Sequence, residues 1–149
     1  MIKRQQRLER IRAVEREYLA ARAAVRLLVG RLRADPAWGE SEGWRARDGV
    51  NLSENIEGTY VLRLYAEFEA GLRDAWVHLV RDNHPPMRDL MVAMANQRIP
   101  QDWLDEADEV RAYRNSLVHE GDVADAMRIS LVDVRSRLCR YFSRLPEDW

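Results

Sequence analysis

The stretch RNSLVHEG, Arg114 to Gly121, sets an arginine, an asparagine and a histidine close together just ahead of a glycine. An imidazole titrates near neutrality and serves as a general acid or base. A guanidinium keeps its charge and offers forked donors to a phosphate or a developing oxyanion. Asn115 adds a neutral donor and acceptor beside Arg114. Together the three suit proton transfer on a substrate that accumulates negative charge.

The helix that carries them sets limits on that chemistry. IPQDWLDEADEVRAYRNSLVHEG predicts a helix over about 101–119, with Asp102 as its cap, acids in its first turn and Gly121 as a left-handed stop. Trp103, Ala107, Val110 and Leu117 mark its core stripe, and Arg114 falls in line with them. Asn115 and His119, four apart, share a neighbouring face with Arg111 and Asp108. Arg114 and His119 are five apart, about 140° round an ideal helix. They converge only if the arginine side chain curls round or the helix loosens near Gly121. A structural account is complete as well. An arginine in an apolar stripe needs a partner, and Glu69 is the expected one, with Glu67 the weaker candidate. Asn115 is then a surface residue and His119 a cation at the helix C-terminus.

Four other helices and a loop must position this helix. Ile11, Val14, Tyr18, Ala21, Val25, Leu28 and Leu32 recur at 3-4 spacing and predict one long helix over 2–33. Residues 34–55 hold Pro36, three glycines and scattered acids, and predict a long loop pinned by Trp38 and Trp44. Asn51 or Ser53 would cap the next helix, over about 58–82, whose apolar face is Val61, Leu64, Phe68, Leu72, Ala75 and Leu79. A shorter helix is expected around 87–97. The last, 123–144, would be capped by Asp122 and carry Met127, Leu131, Val134, Leu138, Tyr141 and Leu145 on its core face. No strand alternation, internal repeat or low-complexity tract competes. The expectation is a single all-α domain over 1–149, a four- to five-helix bundle with a long N-terminal helix.

At 149 residues, 46% hydrophobic and 33% charged, the chain has the composition of a globular domain. It has no apolar run of about 18 residues to span a membrane. Its charged N-terminus is unlike a secretory signal, and one cysteine, Cys139, permits no internal disulfide. A cytoplasmic protein is expected. Net charge is −1, yet residues 1–33 hold ten cations against three acids, leaving −8 on the remainder. A basic segment of this kind is a solvated face or a polyanion contact.

Other candidate sites are thin. His78, His84 and Asp82 lack metal-ligand spacing, so no metal and no cofactor is expected. Ser116 and Ser130 have no nucleophile context, and Gly39 and Gly43 lack the Lys-Ser/Thr of a phosphate loop. Trp44 beside Arg45 and Arg47 either stacks on a nucleic-acid base or buries itself in the loop.

RNSLVHEG resembles the R-N-x-x-x-H signature of the HEPN superfamily of small all-α domains, and YVLRLYAEFEAGLRDAW is similar to the second-helix segment of HEPN families. The resemblance covers most of 55–145. It implies a metal-independent endoribonuclease, often a toxin or an anti-phage effector, acting as a dimer whose two motifs line one cleft. Carried over, Arg114 and His119 are catalytic, Asn115 supports them, and Glu69 orients Arg114. Metal-free RNA cleavage needs a base for the ribose 2′-hydroxyl, an acid for the leaving oxygen and positive charge for the phosphorane. One motif holds one histidine, so a two-fold dimer is required to bring two. An antitoxin or another protein partner is a further expectation. HEPN toxins controlled by a nucleotidyltransferase carry a tyrosine two residues beyond the histidine, and here Gly121 stands there. Many HEPN domains are non-catalytic binding or assembly modules, which is the alternative. A third class is a plain helical interaction protein using its first helix.

Overall fold

Ile11, Val14 and Tyr18 recur at helical spacing on a segment free of proline, and the chain answers with one uninterrupted helix. A computed structural model describes residues 3–119 and 127–149. Among them are six helices and no strand: α1 (Arg4–Ala34), α2 (Pro36–Ser41), α3 (Ala46–Leu79), α4 (Met87–Ala95), α5 (Gln101–His119) and α6 (Leu131–Phe142). The chain is an all-α bundle with a long N-terminal helix. None of these helices is long and apolar enough to cross a membrane.

The central element is α3, which packs against α1, α4, α5 and α6. Its Val61, Leu64, Tyr65, Phe68, Leu72 and Ala75 are buried, and Phe68 is the hub of an aromatic cluster. Phe68 meets Tyr65 at 5.8 Å, Tyr141 at 5.7 Å and Phe142 at 6.1 Å between ring centroids. The Tyr141 hydroxyl donates to the Met91 carbonyl at 2.6 Å, tying α6 to α4. Gly71 lets the Phe142 ring approach, since a Cβ there would lie 2.9 Å from Phe142 Cζ and 3.3 Å from Arg7 Cδ. Gly71→Ala should therefore lower Tm. Overpacking costs about 1–3 kcal/mol, against roughly 1 kcal/mol gained in helix propensity.

Residues 34–55 do not form the expected long loop. Asp35 caps α2 by accepting from the Trp38 amide at 3.1 Å, with Pro36 at the helix start, where its missing N–H costs nothing. Gly43, at φ +82°, turns the chain out of α2. α3 then starts at Ala46, with the Asp48 carboxylate accepting from the Arg45 amide at 2.8 Å, so Asn51 and Ser53 lie inside the helix and do not cap it. Gly39 and Gly49 are both buried against Leu32. These glycines serve close packing. The main core ends at Tyr18 on α1 and Ile56 on α3. Beyond it, the rest of α1, α2 and the start of α3 form a hairpin with its own small core of Val25, Leu32 and the two glycines.

Other boundaries also shift. Leu79 is 43% exposed, because the buried face of α3 stops at Trp76. α4 ends at Ala95, where Asn96 and Gln97 adopt positive φ. Gly121 and Asp122, expected to stop one helix and cap the next, lie outside the described residues. α6 begins only at Leu131, where the Ser130 hydroxyl accepts from the Asp133 amide at 3.1 Å, and Met127 is 46% exposed. Part of the basic segment is answered by the acidic remainder. Arg7, only 6% exposed, pairs with Asp74 and lies 3.8 Å from Glu67, while Arg4 meets Glu147 at 3.1 Å.

Candidate functional site at the end of helix five

α5 stays helical through His119. The stripe read from its sequence holds for Ala107 and Val110, which are buried, whereas Trp103 and Leu117 are half-buried and the buried side runs instead through Leu104, Tyr113 and Ser116. The Ser116 hydroxyl donates to the Ala112 carbonyl at 3.2 Å, so it is spent on its own helix. Arg114 and Asn115 are half-buried, and His119 is exposed in the final turn.

The Arg114 guanidinium donates from Nη1 to Asn115 Oδ1 at 3.0 Å. Its Cζ lies 5.7 Å from the centroid of the Tyr65 ring on α3. No carboxylate among the described residues lies within salt-bridge distance of it. Glu69, expected to orient Arg114, is taken by Arg73 one turn along α3, whose Nε and Nη2 donate at 3.0 and 2.8 Å. Arg73 also donates to the Pro85 carbonyl at 3.2 Å, bracing the approach to α4. Glu67 lies beside Arg7. Asp108 accepts from Arg111 Nε at 2.6 Å, with Arg88 at 4.0 Å. That hydrogen bond holds the Arg111 guanidinium above its ordinary range. The neighbouring acids are thus each committed to another arginine, and the charge on Arg114 is left uncompensated by them.

Tyr65 closes the floor of this cluster. It is 2% exposed, and its hydroxyl has no hydrogen-bond partner among the described residues. Burial pushes its phenol well above the usual range, and Glu69 adds to that, with Arg111 and Arg114 pulling the other way. Tyr65 was not singled out by sequence. It stood inside the apolar run of α3, and nothing in its spacing distinguished it from core.

A cavity of about 700 Å³ lies elsewhere. Glu54, Glu57 and Gly58 of α3, Tyr113 and Leu117 of α5, and Ser130 help to line it, whereas Arg114, Asn115 and His119 do not. Within it, Glu57 Oε1 accepts from the Leu131 amide at 2.9 Å and so anchors the start of α6.

The remaining candidates find ordinary duties or none. His78 Nδ1 lies 2.8 Å from the Asp74 carbonyl, and His84 is exposed. Among the described residues no three His, Cys, Asp or Glu side chains are grouped as a metal ion would need. Cys139 is half-buried, and burial pushes its thiol up, away from the reactive thiolate. Trp38 stacks on Arg31 at 3.8 Å and meets Trp44 edge-on at 5.8 Å, and Trp44 keeps 45% of its surface exposed at the hairpin tip. Comparison of the chain with protein-family models, with curated proteins and with solved structures finds no match.

Proposed function

We propose that this protein is a metal-independent endoribonuclease of the HEPN type, with Arg114 and His119 as catalytic residues and Asn115 in support. The observation that carries the reading is the state of Arg114: half-buried, held by an amide oxygen and a ring face, and without a carboxylate among the described residues. An arginine kept for structure is normally neutralised. One that must receive a phosphate is better left with its field intact.

His119 takes the proton of a ribose 2′-hydroxyl, whose oxygen attacks the adjacent phosphorus. Arg114 meets the negative charge that builds on the phosphorane oxygens. The departing 5′-oxygen takes a proton from a second imidazole, leaving a cyclic phosphate and a free 5′-hydroxyl. Because α5 is regular through His119, the two side chains stand about 140° apart round one helix. We therefore place the active form as a two-fold dimer in which two motifs share a cleft and each supplies a histidine. The substrate is RNA, the compartment cytoplasmic, and the role that of a toxin or an anti-phage effector held in check by an antitoxin or another protein.

The alternative is a non-catalytic HEPN binding or assembly module, and one observation favours it: His119 is exposed and points away from Arg114 on its own helix. The test is cleavage of a labelled single-stranded RNA in EDTA by wild type and His119→Ala, with sedimentation to read the oligomer. Cleavage lost in a folded, dimeric variant supports the nuclease. Equal cleavage by both, or a strictly monomeric wild type, would sink it, and a stable protein complex without cleavage selects the module.

A further inference from the structure

Glu69, the acid best placed in sequence to orient Arg114, is occupied by Arg73. The side chain that does face Arg114 across the helices is Tyr65, ring centroid 5.7 Å from the guanidinium carbon. We infer that Tyr65 is the positioning residue for Arg114: its ring face, in place of a carboxylate, aims the guanidinium at an RNA phosphate while leaving the charge available. The inference rests on the ribonuclease reading for its consequence, although the positioning can be tested without it.

A ring face attracts a cation through its quadrupole at this separation, yet carries no net charge. A carboxylate at the same place would cancel much of the field Arg114 offers to a phosphorane. Tyr65 is itself fixed. It is 2% exposed and packed on Phe68 at 5.8 Å, so its ring cannot swing away. The other end of the guanidinium is held by Asn115 at 3.0 Å. Two neutral contacts from two helices thus define the direction of one cation. The Tyr65 hydroxyl, without a hydrogen-bond partner among the described residues, contributes nothing to this arrangement. The ring alone is what matters.

That separation of ring from hydroxyl makes the test sharp. Tyr65→Phe keeps the face, and cleavage of labelled single-stranded RNA in EDTA should stay within about twofold of wild type. Tyr65→Leu removes the face, and kcat should fall on the order of 10²-fold through misplacement of Arg114, with KM little changed. Loss of activity in Tyr65→Phe would overturn the inference, because the hydroxyl would then be the working part. An independent readout is the NMR signal of the Arg114 side-chain Nε–H, assigned by its disappearance in Arg114→Lys. Wild type and Tyr65→Phe should show it shifted upfield by the ring current, and Tyr65→Leu should not. An unshifted signal in wild type overturns the positioning even if Tyr65→Leu fails to fold. If wild type cleaves no RNA while the shift is present, the ribonuclease reading fails and the positioning stands.

Discussion

Arg114→Ala is expected to lower kcat/KM for RNA cleavage in EDTA on the order of 10²–10³-fold, the usual effect of removing one donor aimed at a developing oxyanion. The same substitution should lower stability only modestly. Arg114 is half-buried and forms no ion pair among the described residues; its contacts are one neutral hydrogen bond and one ring face. Those are worth about 1–2 kcal/mol together. A structural ion pair would behave in the opposite way, since stranding its buried acid costs about 3–5 kcal/mol. Measuring kcat/KM and Tm on one preparation therefore separates the two accounts. Large kinetic loss with a small Tm change supports catalysis; large Tm loss with cleavage retained per folded molecule refutes it. Arg114→Lys should recover little, because an ammonium cannot hold the Asn115 oxygen and reach a phosphate with the same planar fork.

Phe68→Ala is expected to cost about 3–5 kcal/mol, seen as a lower urea midpoint at unchanged slope. Phe68 is 0% exposed and touches aromatic rings from both α3 and α6, so its removal leaves a cavity walled by large, mutually wedged side chains that cannot collapse. Against a typical total of about 5–15 kcal/mol, that loss removes a large share of the stability. A cost under about 1 kcal/mol would mean that the cluster around Phe68 is not the centre of the core. The substitution also withdraws the surface on which Tyr65 rests, so cleavage should weaken in the molecules that stay folded.

What the sequence disclosed depended on range. Helices α1, α3 and α5 were legible because apolar residues recur on one face over many turns, and local periodicity alone encodes that. The short α2 and the early start of α3 were hidden by Gly39 and Gly49. In sequence a glycine reads as a breaker, and only the approach of Leu32 from α1 shows why both are needed inside helices. Arg114 and Asn115 were visible as a motif, and they do touch. Glu69 meets Arg73 and not Arg114, because Arg73, four residues on, reaches it within the same helix. Tyr65 could not be singled out at all, since its meaning comes from a helix nearly fifty positions later. The cavity beside Glu57 was equally invisible, being assembled from three separate stretches of chain.

The hairpin made by the ends of α1 and α3 also bears on the order in which the chain condenses. Leu32 meets Gly39 and Gly49, partners seven and seventeen positions away, whereas the body joins Glu15 to Arg135 across 120 positions. Closing a short loop forfeits far less chain entropy than closing a long one. The hairpin is therefore one of the places where ordering can begin at low cost. Once shut, it already holds α1 and α3 side by side in register, so Tyr18 meets Tyr60 and Glu17 meets Arg63 without a further search. What is left is to lay α4, α5 and α6 against that pair.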